Sequence, residues 1–143
     1  MEQEELKNER KTNKILAIVK NPYCKPEKVL IEPGLSTLQN LVKGIVEGVS
    51  LPEINDVFGY CNDEGLLIGL EPNFYRPEWK DAIVGPVVFD GAGEEGEDVS
   101  LTEGQAKKII DYLERNSVKD FGEFFYHIET RFEHYPIEKE AEL

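Results

Sequence analysis

Ile15-Leu16-Ala17-Ile18-Val19 and, one loop later, Lys28-Val29-Leu30-Ile31-Glu32 decide how this chain folds. The first run is apolar throughout and rich in β-branched residues, the pattern of a well-covered strand. Between the two lies Asn21-Pro22-Tyr23-Cys24-Lys25-Pro26, where two prolines cannot serve a central ladder. The two runs therefore read as strands that can close into a hairpin.

Pro33-Gly34 ends the second strand. Ser36-Thr37-Leu38-Gln39 matches a capping box, in which the serine hydroxyl takes one orphan N–H and the glutamine reaches back to another. Leu38, Leu41 and Val42 give this short helix one apolar face. Gly44 stands where a left-handed residue would end it. Residues 45–51 alternate like a half-buried strand. Val57-Phe58-Gly59-Tyr60-Cys61 reads as a strand that turns at Asn62-Asp63-Glu64-Gly65 and returns through Leu66-Leu67-Ile68-Gly69-Leu70, a hairpin with Gly65 at positive φ. Residues 71–81 read as a packed loop. Ala82-Ile83-Val84-Gly85-Pro86-Val87-Val88-Phe89 is the next strand, and Pro86 places it at an edge or a bulge.

Residues 91–98 form an acidic, glycine-rich, exposed loop. Thr102-Glu103-Gly104-Gln105 is a second capping box, with Leu101 and Ala106 placed as a hydrophobic staple. Ala106, Ile109, Ile110 and Leu113 follow at helical spacing. Val118, Phe121, Phe125, Ile128, Phe132 and Tyr135 then recur as a heptad seam, widened by Phe124. This last helix either covers the open face of its own sheet or presents an interface, with Phe121, Phe124, Phe125, Ile128, Phe132 and Tyr135 as the contact residues. The expected fold class is α+β: a small, mostly antiparallel sheet of about five to six strands with one short and one longer capped helix, plus the aromatic C-terminal helix. The expected division is a polar lead at 1–13, the α+β domain at 14–116, the amphipathic helix at 117–136 and an acidic tail at 137–143.

The full 143 residues suit one domain. Lys and Arg number 16 against 29 Asp and Glu, a net charge of −13. Such a surface repels phosphate backbones and anionic lipid, which argues against direct nucleic-acid or membrane binding. No stretch nears the ~18 apolar residues of a membrane span. The first apolar run is short and flanked by Lys14 and Lys20, unlike a signal peptide, so the expected location is the cytoplasm of a bacterial host. Cys24 and Cys61 make no C-x-x-C pair and read as small hydrophobes.

Gly91-Ala92-Gly93-Glu94-Glu95-Gly96 fits G-x-G-x-x-G to the letter and fails chemically. Its carboxylates stand where a pyrophosphate would lie, and the next helix starts late. The loop also lacks the alternating oxygen ligands of a calcium site. His127 and His134 are seven residues apart, roughly 10 Å along a helix, too far to share one zinc. Adjacent carboxylates such as Asp63-Glu64 and Glu94-Glu95 sit in turns, not in the apolar pocket that a general acid needs. No catalytic residue, metal site or cofactor is expected.

Four signatures in order resemble the small domain of unknown function numbered 3846, a family met mostly in phages, plasmids and conjugative elements. Residues 38–47 follow its L-x-x-L-V-G-G-Y-I-E, and residues 62–73 its N-E-E-G-K-x-x-G-L-P-x-N. Residues 83–88 follow the first six positions of I-V-G-x-V-x-V, and residues 100–105 follow S-L-T-x-E-Q. Lys43 stands in place of a family glycine, Ile45 of a tyrosine and Leu66 of a lysine. The resemblance implies a compact α+β domain of mobile-element origin and brings no catalytic residues. Asn62, Glu64, Gly65, Gly69 and Asn73 are explained by turn chemistry, or else Glu47, Glu64 and Asn73 rim a ligand cleft. The functional expectation is a non-catalytic accessory protein that binds a host or phage protein and so inhibits a host defence system, with a homodimer as a further assembly to test. One alternative is a nucleotide-like ligand site over Glu47, Asn62, Glu64, Asn73, Tyr75, Arg76 and Trp79, where Arg76 offers a cation beside aromatic faces. A second is mimicry of DNA by the acidic surface.

Overall fold

A computed structural model describes residues 13–122. β1 (Ile15–Lys20) and β2 (Glu27–Ile31) form the expected antiparallel hairpin, with Ile15 opposite Ile31 and Val19 opposite Glu27. There follow α1 (Leu35–Val42), β3 (Val46–Gly48), β4 (Val57–Asn62), β5 (Pro72–Arg76), a 3-10 turn (Pro77–Trp79), β6 (Asp81–Val84), β7 (Val87–Ala92), β8 (Asp98–Val99) and α2 (Glu103–Arg115). The main sheet runs β2-β1-β7-β4-β3, with β8 pairing the far end of β7. All its pairings are antiparallel. β5 and β6 form a separate two-stranded ribbon. The fold is α+β, and residues 117–122 continue past α2.

Both faces of the main sheet are covered, which is why β1 is apolar without alternation. On one face α2 lays Ala106, Ile109, Tyr112 and Leu113 against Ile18, Val87 and Phe89. Phe74 of β5 enters the same cluster and meets the rings of Phe89 and Tyr112 edge-on, at 6.3 and 6.4 Å. On the other face Leu38 and Val42 of α1 pack on Ile15, Ala17, Ile31 and Val88. The second capping box is present in full: Gln105 N–H donates to Thr102 Oγ1 at 3.1 Å, and Thr102 N–H to Gln105 Oε1 at 2.9 Å. Leu101 and Ala106 are both buried beside it.

Several expectations are corrected. The first capping box does not form: α1 starts from Gly34, no side chain caps it, and Ser36 lies inside the helix. The left-handed residue at its end is Lys43 (φ 64°) and not Gly44. Gly44 N–H closes the turn on Gln39 O at 3.0 Å, the Schellman arrangement. The strand expected over 45–51 contracts to β3.

The hairpin expected from β4 into residues 66–70 is absent, and β4 pairs β3 and β7 instead. The reason is local. Asn62 Oδ1 accepts from Glu64 N–H at 2.8 Å, which starts a helical turn in place of a hairpin turn. Ile68 N–H then bonds Glu64 O, and Leu70 N–H bonds Gly65 O across a left-handed Gly69 (φ 72°). Positive φ thus falls on Gly69 and not on Gly65, whose missing side chain instead leaves room for Val84 (a Cβ there would come within 2.8 Å).

The supposed loop at 71–81 contains β5, and the supposed strand at 82–89 is two strands in different sheets. Gly85 (φ 78°) and Pro86 swing the chain from β6 into β7. Gly85 N–H bonds Glu71 O at 2.7 Å. Pro86 therefore marks a crossing between sheets, and β7 is the middle of the main one. The acidic loop is shorter than expected, because its two ends belong to β7 and β8.

Candidate functional site

The asparagine of the second signature, Asn73, is fully buried on β5. Its Nδ2 donates to Lys20 O and to Gly85 O, both at 2.8 Å. Its Oδ1 accepts from Lys20 Nζ at 2.8 Å, and its own backbone oxygen accepts from the same amine at 3.2 Å. Lys20 is itself fully buried at the end of β1. Burial lowers its pKa to about 8, partly offset by the nearby Cys24. The pair ties the ribbon to the main sheet, and with its amide fully engaged inside, Asn73 rims no surface.

Asn62 is a second buried brace. Its Nδ2 donates to Val42 O and Lys43 O at 3.1 Å, satisfying carbonyls at the end of α1, while its Oδ1 starts the 64–68 turn. Tyr75 is buried with Val84 and Val118. Arg76 emerges from the other side of β5. Its Nε and one terminal nitrogen grip the Asp81 carboxylate at 2.9 and 2.6 Å, and the other nitrogen donates to Ser50 O at 3.1 Å. Its guanidinium lies 4.6 Å from the centre of the Trp79 ring. Glu47 and Glu64 are exposed. The structure thus brings Arg76 and Trp79 together, and Asn62 onto the backbone of Glu64. It does not gather the seven residues into one cleft.

Cys24 is exposed and Cys61 buried. Burial, with Glu47 nearby, pushes the Cys61 thiol up to about 11, so it stays protonated in the core. Among the described residues no group of three or more His, Cys, Asp or Glu is arranged for a metal. No described helix is long and apolar enough to cross a membrane.

Residues 117–122 bear on the C-terminal expectation. Ser117 bridges Phe74, and Val118 N–H bonds Asn73 O at 3.0 Å. Val118, first in the heptad seam, is therefore extended and buried in the domain's own core. Helical backbone begins at Phe121, which is exposed. Phe124, Phe125, Ile128, Phe132 and Tyr135, with both histidines, lie outside the described residues.

Sequence reasoning missed the most exposed apolar feature. Leu66, Leu67 and Ile68 are 78%, 87% and 56% exposed on the turn after β4. Ile45, also exposed, is tied to the start of this turn by Asp63 N–H on Ile45 O at 2.8 Å. Asp63 and Glu64 open this turn and Glu71 follows it. Residues 44–75 hold Glu47, Glu53, Asp56, Asp63, Glu64 and Glu71, all exposed, and no lysine or arginine. The available signal was the unbroken apolar triplet, which lacks the alternation of a half-buried strand.

Neither a curated protein nor a solved structure matches the chain. A family profile does, across the whole of the sheet and nearly all of α2. With residues 14–114 matched, the chain belongs to the family described as a domain of unknown function (DUF3846).

Proposed function

We propose that this domain is a non-catalytic protein-binding module that docks through residues 66–68 onto a basic partner surface with an apolar cleft. The observation that carries the reading is the tip itself: three consecutive large apolar side chains held in solvent by a capped turn, with the exposed carboxylates of Asp63, Glu64 and Glu71 flanking them in the chain. Full burial of each such side chain contributes roughly 1.5–3 kcal/mol. That gross gain is of the same order as the ~4–15 kcal/mol that association costs, so further contacts are needed for tight binding. The cation-free stretch supplies steering toward a basic partner. A second copy of this acidic chain would be repelled at the same patch, which favours a different protein over a homodimer there. The exposed Phe121 and the aromatic positions after it are a second contact within the same proposal.

The setting belongs to the proposal as well: the bacterial cytoplasm, an accessory protein of a phage or other mobile element, and a host defence component as the target. The same run of exposed carboxylates supports a second reading, mimicry of DNA toward a basic groove. The nucleotide reading has less support, because the Arg76 guanidinium is already held by Asp81, Ser50 and Trp79.

Capture from host lysate at low and high salt, with wild type beside a Leu66→Ser/Leu67→Ser variant, separates these readings. An apolar-anchored complex survives high salt and disappears in the variant. A DNA mimic loses its partners at high salt whatever the tip carries. Retention of the same partners by the variant at both salt levels would overturn the docking proposal.

A further inference from the structure

β7 and β8 carry a buried polar cluster that none of the preceding roles uses. Asp90 stands on the α1 face of the sheet with Val88, opposite Phe58 of β4. It is fully enclosed. No N–H or O–H group among the described residues reaches either of its carboxyl oxygens. Its hydrogen-bonding neighbour is the carboxyl of Asp98. Asp98 lies opposite Ala92 and so sits diagonally from Asp90 on the same face. From β4, the Tyr60 hydroxyl donates to Asp98 Oδ1 at 2.5 Å.

Two carboxyl groups can hydrogen-bond only if one carries a proton, and two ionised ones at such contact repel. Among the described residues no cation is paired with either carboxyl. β4 presents Phe58 and Tyr60, and β8 presents Asp98. The residues of β1 and α1 that pack on this face, Ile15, Ala17, Leu38 and Val42, are apolar. Lys20 points to the opposite face, with Ile18. Desolvation first, then the hydrogen bond and charge of Asp98, raise Asp90 well above the usual carboxylate range. Burial and the Asp98 hydrogen bond likewise raise Tyr60, which keeps its proton as a donor.

We propose that Asp90 keeps a proton in the folded state, and that this proton, with the Tyr60 hydroxyl on Asp98, latches the β7–β8 hairpin against β4 and releases it when the proton is lost. The hairpin is connected to the rest of the fold at its exit. Leu16 N–H donates to Ser100 Oγ at 2.9 Å, and Leu101 N–H to Leu16 O at 3.0 Å. Release would therefore be felt at the start of β1 and at the staple of α2. The sign follows from linkage: a carboxyl raised by folding stabilises fully below its unfolded value, about 3.9, and that stabilisation is lost as pH rises through the folded value. This latch is independent of the docking role proposed above.

The test is a carboxyl-carbon NMR titration of the full chain, with amide exchange at Ala92 and Leu101. Asp90→Asn assigns the resonance. In wild type Asp90 is expected to titrate above about pH 6, apart from the exposed aspartates. Protection factors at the two amides should fall about tenfold from pH 6 to pH 9 in wild type and stay level in Asp90→Asn. An Asp90 midpoint near pH 4, or an equal loss of protection in both proteins, would overturn the proposal. If Asp90→Asn does not fold, the wild-type midpoint decides alone.

Discussion

Lys20 and Asp90 are sealed on opposite faces of one sheet, and the protein treats them differently. Lys20 is surrounded by acceptors: Asn73 supplies two oxygens, and the amide of Asn73 is satisfied in return. Asp90 meets another acid and, among the described residues, no N–H or O–H donor. The first arrangement is satisfied by donors and acceptors already within the pair. The second is complete only when a proton is present. Fully satisfied buried polar groups fix architecture, whereas groups left short respond to conditions.

The largest effect should come from breaking the satisfied side. Asn73→Ala takes the 2.8 Å side-chain acceptor from the Lys20 amine and strands two buried carbonyls, and should cost about 3–5 kcal/mol in denaturant unfolding. Lys20→Met removes the amine and keeps the volume, so it should cost less, and a double-mutant cycle with Asn73→Ala should show strong coupling. The pH dependence sharpens the contrast. The Lys20 pKa is lowered from 10.5 to about 8 by folding, so its contribution to stability rises with pH across that window. Asp90 contributes the opposite slope in a lower window, between its unfolded value of about 3.9 and its folded value of about 8. Lys20→Met should therefore remove the part of stability that rises from about pH 8 to 9.5 in wild type, and an unchanged slope there would remove Lys20 from the account.

Next in size is Tyr60→Phe, which deletes one hydrogen bond to Asp98 and should lose about 1 kcal/mol. Lys43→Gly should gain about 0.5–1 kcal/mol, because glycine takes φ 64° without the steric penalty that lysine carries. The smallest effect belongs to the tip. Leu67→Ser should leave stability within about 0.5 kcal/mol, since the side chain touches mainly solvent. A large loss there would mean that the tip packs within the fold and is not an anchor for a partner.

Much of the fold was legible because its signals are local. The β1 run, the Thr102 capping box and the helical spacing of Ala106, Ile109 and Leu113 each depend on neighbours within four residues. The misreadings share a different cause. Ser36-Thr37-Leu38-Gln39 has the right spacing for a cap, but Leu38 and Val42 reach the sheet only if the helix begins earlier, at Gly34. Asn62 to Gly65 has hairpin composition, yet the Asn62 side chain is held by carbonyls of α1 and the turn winds as a helix. Tyr112 faces the core beyond the apolar stripe because its hydroxyl finds Glu78 at 2.6 Å, a partner 34 residues away. Asn62 and Asn73, expected either as turn residues or at a ligand cleft, serve internally as braces between elements.

The sequence by itself determined the α+β class, the antiparallel opening hairpin, the capped second helix, the acidic surface and the family signatures, because each is written in composition or in short-range periodicity. Tertiary structure alone decided that β7 runs through the middle of the sheet, that Lys20 meets Asn73, that Asp90 meets Asp98, and that residues 66–68 face water. Those outcomes depend on which strands pair across many tens of residues, and no short-range pattern encodes a partner that only folding brings near.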